Sequence, residues 1–280
     1  MADRSPFITV VIAVLNGAGT IQQAIDSVAG QTYPAKELIV IDDGSTDATA
    51  RILQFNRDRI AYTESDRNHG IAHAWNLGVG RARGDWIYFL GADDYLWDDG
   101  VLDRMAPILA AALPEHSVVY GEVNGVESGG RVLERYNGAW SRRAFLHSGM
   151  NLCHQGLFHH RSLFERHGSF DETFRVAMDY DLLLRELKSR DPFYAQGIVV
   201  AGMRHGGLSS DPAHTMATLA EFSRARRKNG VNGVPWGIHW KMLKARAKTL
   251  LYKGLGPDAA HAVADLYRLA TGRPRKWTRV

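Results

Sequence analysis

Three short β-branched or aromatic runs recur within the first hundred residues: FITVVIAVL at 7–15, ELIVI at 37–41 and DWIYFL at 85–90. Continuous apolar runs of this length suit strands buried on both faces. Between the first two, Ile21, Ala24, Ile25 and Val28 recur at helical spacing behind Thr20, a residue able to cap a helix. A short helix through Ile52 and Leu53, a strand at 59–63 and a helix at 70–83 continue the alternation. Strands alternating with helices at this interval predict an α/β fold, a mostly parallel, doubly wound sheet flanked by helices. The stretch to about residue 211 is more mixed. It has a helix at 102–113, a hairpin from 117–123 and 131–136 around the turn ESGG, a helix at 178–188 and a strand at 193–203. Beyond Pro212 the pattern is helical, at about 214–229, 236–253 and 257–271. The expected organisation is a catalytic domain at 1–211, with a nucleotide-binding half (1–100) and an acceptor half (101–211), followed by a helical extension at 212–280.

Ligands of open parallel sheets bind beyond the carboxyl ends of the strands. Two acidic pairs fall at such ends, Asp42-Asp43 after the second run and Asp93-Asp94 after DWIYFL. No strand-linked G-x-G-x-x-G or G-x-x-x-x-G-K-[ST] is present, so neither usual phosphate cradle is expected. Carboxylates lining the crevice suit a hard divalent cation, Mg²⁺ or Mn²⁺, bridging to a diphosphate. Either pair alone could equally cap a helix or form a turn. No Cys/His cluster has zinc spacing, and His159 and His160 would point to opposite sides of a strand.

Several motifs in order give this chain a family resemblance over about 7–210. They are the first strand with Asn16, Gln31-Thr32-Tyr33, Asp42-Asp43-Gly44-Ser45-Thr46-Asp47, Asn68-His69-Gly70, Asn76, Gly84-Asp85 and Ala92-Asp93-Asp94. The stretch resembles the family 2 glycosyltransferases of GT-A fold. The resemblance implies an inverting enzyme that takes a sugar from a nucleotide-diphosphate donor. It implies that Ala13 and Val14 meet the base through backbone, with Asn16 beside them, and that Asp43 accepts from the uracil ring N–H. Arg67 and His69 approach the base or diphosphate, Asp93 lies near ribose and metal, and Asp94 binds the metal. The family's metal motif usually carries a further acid where this chain has Gly91. In the segment Phe174–Arg185, Asp179 matches the catalytic base, while Met178 stands where relatives often have Glu. His154 and Gln155 match residues lining the acceptor pocket. His205, in Arg204-His205-Gly206-Gly207-Leu208-Ser209, matches a segment that closes over the donor diphosphate, sometimes with the histidine on the metal.

Independently of that likeness, inversion by direct displacement needs a base opposite the leaving group. A carboxylate at a helix start is favoured in its ionised form by the helix dipole. Asp179 and Asp181, two apart, cannot face the same way on a helix, so one serves as base and the other caps or pairs with an arginine. Cys153, the single cysteine, excludes an intramolecular disulfide and reads as a small buried residue in a reducing compartment.

Charge is unevenly distributed. Residues 212–280 carry 14 Lys/Arg against 3 Asp/Glu, whereas 1–211 carry 20 against 27. In 236–253, Trp236, Trp240, Leu243, Ala247, Leu250 and Leu251 form one stripe with Lys241, Lys244, Arg246 and Lys248 elsewhere. Tryptophans and lysines on an amphipathic helix suit a membrane interface, and the same stripe could instead pack on the catalytic domain or a second subunit. The start of the chain does not read as a secretory signal and no apolar run spans a bilayer, so a cytoplasmic protein, peripheral on the inner face of the membrane, is expected. Its partners would be a nucleotide-sugar donor and a saccharide or lipid-linked acceptor, with no nucleic acid. Two other readings compete. A sugar nucleotidyltransferase would need basic residues near Asn16-Gly17-Ala18-Gly19, which has none. A non-catalytic sugar-nucleotide-fold module docking a membrane is suggested by the acids missing at Gly91 and Met178, and opposed by Asp43, Asp93, Asp94 and Asp179.

Overall fold

The computed structural model describes residues 5–270 and 272, apart from 66, 68, 128 and 205–214. The elements run β1 (Ile8–Val14), α1 (Ile21–Ala29), β2 (Lys36–Asp42), α2 (Thr49–Phe55), β3 (Tyr62–Ser65), α3 (Ile71–Arg81), β4 (Trp86–Gly91) and β5 (Tyr95–Leu96). They continue with α4 (Val101–Ala112), β6 (Val118–Val126), β7 (Val132–Tyr136), α5 (Arg142–Ser148), β8 (Leu157–His160), α6 (Arg161–His167), α7 (Met178–Leu187), β9 (Phe193–Arg204), α8 (Thr215–Lys228) and α9 (Trp236–Ala270). The third strand starts later than the expected 59–63. Arg57–Arg59 instead forms a 3₁₀ turn, because the Arg59 guanidinium is drawn to Asp26 of α1 at 2.6 Å and to Asn56 at 2.9 Å.

The described strands form one sheet in the order β3-β2-β1-β4-β8-β6-β9-β5, with β7 pairing β6. The half β3-β2-β1-β4 is parallel throughout. In the second half, β8 is antiparallel to β4 and β6, while β9 runs parallel to β6. Alternation along β1 feeds two cores. Val10, Ile12 and Val14 pack with α1 and α4 on one face, whereas Val11 joins Trp75 of α3, Phe145 of α5 and the leucines of α7 on the other. Burying Ile21, Ile25 and Val28 of α1 contributes about 1.5–3 kcal/mol each, which is why α1 folds without a side-chain cap from Thr20.

This topology brings chemistry to one edge. Register pairs Val14 with Asp42, Ala13 with Gly91 and Asp42 with Ser65, so β1 to β4 all end together. Because β8 runs against β4, the residues just before it, His154 and Gln155, return to that same edge. β9 runs with β6 and delivers Arg204 there too.

The extension beyond residue 212 contacts the catalytic body. α8 lies on α7, and Lys228 reaches Asp171 at 2.7 Å and Asp181 at 2.8 Å, so part of the tail's positive charge is matched inside the fold. α9 breaks at Gly256 (φ 80°, ψ 167°), a left-handed conformation open to glycine. Its first turns are held to α5 by buried Ile238 and by Lys241, which donates to the Ser148 carbonyl at 2.6 Å. Trp236, Trp240 and Leu243 remain exposed; the side chains of Ala247, Leu250 and Leu251 lie outside the described residues. Among the described residues no helix is long and apolar enough to cross a membrane.

Candidate active site

The rim opens with two loops tied together. Asn16 adopts φ 53° after β1, a conformation asparagine tolerates better than most residues. Its amide donates to Ser45 Oγ at 2.8 Å, and its Oδ1 accepts from the Thr46 amide at 2.8 Å. Gly17 and Ala18 donate to Thr49 Oγ1 and Asp47 Oδ2. Thus the D-D-G-S-T-D motif braces the loop after β1. Ala13 lies in the sheet between Ile41 and Gly91, and the Val14 carbonyl accepts from the Asp43 amide at 2.8 Å. Asn16 stands exposed at the mouth.

Asp43 is buried, and each of its oxygens accepts a backbone N–H at 2.9 Å, from His69 and from Gly70. Gly70 is the cap residue of α3 with φ 96°, so Asp43 fixes from across the sheet the turn that leads into that helix. An ionised carboxyl has about four lone-pair positions, which leaves capacity for a further donor such as a ring N–H. His69 and Arg67 are exposed at this edge, and the His69 ring sits 4.8 Å from that of His73. Asn68, and His205 with its glycines, lie outside the described residues.

Asp94 is 1% exposed. Its Oδ1 accepts from the Arg204 amide at 2.8 Å, and Gln155 also hydrogen-bonds its carboxyl. Burial, then the nearby charge of Asp93, pushes Asp94 up to about 7 against these contacts. A Cβ on Gly91 would meet Asp94 Oδ2 at 2.6 Å and Asp93 Oδ1 at 3.0 Å. Two carboxylate oxygens therefore converge over Gly91, and the missing acid has a physical reason: its space is filled by the other two. Two mutually repelling carboxylates, one buried, form a donor set that fits a hard divalent cation taking its remaining ligands from phosphate and water. Among the described residues no group of three or more His, Cys, Asp or Glu is arranged to hold a metal.

Arg204, at the end of β9, locks this corner. Its guanidinium donates to the Asp93 carbonyl at 2.5 Å and to Gln23, and its amide holds Asp94. Arg204 has no local pattern of its own beyond its position next to the His-Gly-Gly segment.

His154 does not line an open pocket. It is buried, stacked on Trp75 at a ring distance of 4.8 Å, and its Nε2 has no hydrogen-bond partner. Burial holds it uncharged, well below the ordinary histidine range. Of the expected acceptor pair, only Gln155 reaches the rim, and it does so beside Asp94. Cys153, half-buried, contacts Gln155 Oε1 at 3.6 Å and Met203 Sδ at 3.7 Å. Its thiol is pushed up to about 12 by burial and further by the charges of Asp94 and Asp179, making it a poor nucleophile.

Asp179 opens α7. It is half-buried, and its Oδ1 accepts the adjacent Tyr180 amide at 2.6 Å. The helix dipole was expected to keep it readily ionised. Burial outweighs that and pushes its carboxyl up to about 6, with Glu221 of α8 adding to the rise. Asp181 is turned the other way, fully buried and bonded to Arg185, Lys228 and Asn229. Met178 is buried in the core, where a glutamate would be stranded.

The chain matches the model of glycosyl transferase family 2 over residues 9–165. It is 33% identical over 214 residues to a PGL/p-HBAD biosynthesis glycosyltransferase of Mycobacterium bovis, covering 74% of this chain and 80% of that protein. It is 34% identical over 200 residues to the succinoglycan biosynthesis protein ExoO of Rhizobium meliloti, covering 66% of this chain and 57% of that one. Among solved structures, S. aureus TarS 1-349 in complex with UDP-GlcNAc superposes with a TM-score of 0.61 at 18% identity, covering 78% of this chain and 66% of that fragment. The mannosyltransferase PcManGT of Pyrobaculum calidifontis, in complex with GDP-Man and Mn²⁺, gives 0.60 at 19% identity over 96% of this chain and 80% of that one. With strand ends, acidic rim and family model in agreement, this chain belongs to glycosyl transferase family 2 and has a GT-A-type α/β fold.

Proposed function

We propose that this glycosyltransferase is an inverting enzyme. It moves a sugar from a nucleotide-diphosphate donor, a UDP-sugar first, to a hydroxyl of a saccharide or lipid-linked acceptor in polysaccharide or glycolipid biosynthesis. One observation supports this reading: the carboxylate oxygens of Asp93 and Asp94 converge over Gly91 at the strand ends, a donor set suited to a cation on a diphosphate. Asn16 and Asp43 hold the nucleotide, with Asp43 accepting the uracil N–H on capacity its backbone bonds leave free; Arg67 and His69 stand beside the diphosphate. Asp93 and Asp94 hold a divalent cation, Mn²⁺ or Mg²⁺, which when bound offsets the charge that builds on the leaving diphosphate. Arg204 holds this corner through the Asp94 carboxylate and the Asp93 backbone carbonyl. Asp179 takes the proton from the acceptor hydroxyl as the new bond forms, and Gln155 borders the acceptor. Arranging donor and acceptor in line is itself worth on the order of 7–11 kcal/mol in favourable cases. Relatives bound to UDP-GlcNAc and to GDP-Man support a nucleotide-sugar donor. Incubating the protein with UDP-, GDP- and dTDP-sugars and Mn²⁺ should release UDP from at least one donor. Release of no nucleoside diphosphate from any of them, with a lipid-linked or saccharide acceptor present, would count against the proposal.

The acceptor reading extends to a cytoplasmic enzyme touching the membrane's inner face through 236–253. Trp236 and Trp240 are 75% and 57% exposed, and Lys244 lies 5.3 Å over the Trp240 ring. An exposed apolar stripe beside basic side chains is what an anionic bilayer surface would take. Sedimentation with phosphatidylglycerol vesicles should carry the protein down, and Trp236→Ala with Trp240→Ala should reduce the bound fraction several-fold. Equal sedimentation of both proteins would remove the membrane assignment.

A further inference from the structure

The turn that leads into α7 has an unusual anchor. The cap position of α7 is Ala177, which has no side chain able to bond the helix's opening amides. The amides just ahead of the helix are instead gathered by another element. Glu221, in the middle of α8, accepts the Arg175 amide on Oε1 and the Val176 and Ala177 amides on Oε2, all at 2.9 Å. Its neighbour Phe222 stands edge-on against Tyr180 at 4.8 Å and closes on Gly149. α8 is thus fastened to residues on both sides of Asp179, by Glu221 to 175–177 and by Phe222 to Tyr180.

We infer that Glu221 is a positioning residue for sugar transfer: by gathering the three amides of 175–177 it fixes the start of α7 and so the direction in which Asp179 meets the acceptor hydroxyl. The inference rests on the reading of Asp179 as base. Three charge-assisted bonds on one carboxylate form a tight hold, about twice as strong per bond as neutral ones. A side chain that needs near-contact geometry cannot be aimed from a loose turn, and a displacement of about 1 Å can cost on the order of a hundredfold in rate. Glu221 acts on Asp179 a second way. The groups facing Asp179 are Glu221 from α8 and Cys153 from ahead of β8; on its own helix, Asp181 is directed to Arg185, Lys228 and Asn229. Burial is the main cause of the raised Asp179 carboxyl, and the charge of Glu221 adds to it, so Glu221 aims the base and also opposes its ionisation.

Two substitutions separate these effects. Glu221→Gln removes the charge and presents an NH₂ to amides that need an acceptor. Glu221→Asp keeps the charge but cannot span all three amides. Both should lower kcat by about ten- to a hundredfold with the donor KM unchanged. Only Glu221→Gln should move the acidic limb of the kcat/KM profile, and the move should be downward. Melting temperatures and UDP-induced thermal shifts confirm that each variant is folded and loaded. A residue with a merely structural role would lower the melting temperature and leave kcat per folded site and the limb where they were, and that result overturns the inference. If the unsubstituted enzyme has no acidic limb near 6, or Asp179→Asn stays active, the base reading itself has failed. A limb near 6 that neither variant changes, with kcat intact, sinks Glu221 alone.

Discussion

Asp179→Asn should lose sugar transfer by about a hundred- to ten-thousandfold in kcat while binding the nucleotide donor as tightly as the parent. The amide is isosteric, and it can still accept the Tyr180 amide through Oδ1, so the turn is not disturbed. What it cannot do is take a proton. The pH dependence follows from the same carboxyl. Burial raises it to about 6, so it is a competent base only above that value. The rate should therefore fall as pH drops through about 6, close to tenfold per unit below it, and be flat from about 7 upward until another group titrates. Released nucleoside diphosphate measured from pH 4.5 to 9, with UDP binding followed in parallel, checks both statements. Asp181→Asn is the contrasting substitution. That carboxylate is fully buried on Arg185, Lys228 and Asn229, so replacing it by an amide weakens three hydrogen bonds at a buried position and should destabilise the fold by about 1–3 kcal/mol rather than slow chemistry in a folded enzyme. Normal transfer by Asp179→Asn would refute the assignment.

The sequence and the folded site agree best where a side chain's role is set by its own strand. Buried β-branched runs became β1, β2 and β4, and because parallel strands end together, two acidic pairs a long way apart in sequence could be placed at one rim. Several family motifs proved architectural. Gln31 donates to the carbonyls of Ser27 and Asp98 and accepts the Leu102 amide. Tyr33 donates to the Pro6 carbonyl. Gly84 lies so close to β1 that a Cβ would sit 2.6 Å from the Thr9 amide nitrogen, while Asp85 accepts the Phe7 amide. These residues build the end of the sheet opposite the site, which spacing alone could not reveal. Contributions across long sequence distances were the least visible. Arg204 comes to Asp94 over a separation of 110 residues, and Glu221 to the turn before α7 over more than 40. Neither has a local pattern, since an arginine at a strand end and a glutamate in an amphipathic helix read as solvated charges until the partner is in place. His154 misled for the converse reason: a polar residue near a site edge was read as facing it, whereas stacking on Trp75 and Phe89 buries the ring in the core.

Replacing Asp94 by Asn should make the metal-free protein more stable at pH 8 and remove its response to donor and cation together. The two effects share one cause. In the folded chain this carboxyl is moved from an ordinary 3.8 to about 7, first by burial and then by Asp93. A group whose folded value is raised stabilises the fold when protonated, and that contribution drains away as pH rises from about 4 to 7. Once ionised it costs the folded state on the order of 4 kcal/mol, a cost that Arg204 and Gln155 only partly offset. Asparagine carries no charge, keeps the acceptor that Arg204 uses, and can donate toward Asp93. The melting temperature of Asp94→Asn should exceed the parent's by several degrees at pH 8, and the gap should shrink steadily towards pH 4, where the parent carboxyl is protonated in the folded and unfolded chain alike. Addition of Mn²⁺ with UDP should then raise the parent's melting temperature at pH 8 and leave the variant's unchanged, and transfer should fall with it. Strain of this kind at a rim built for a cation is a trade of stability for function. A variant that melts below the parent at pH 8, yet responds to Mn²⁺ and UDP as the parent does, would mean that Asp94 supports the fold and takes no part in holding the donor's diphosphate.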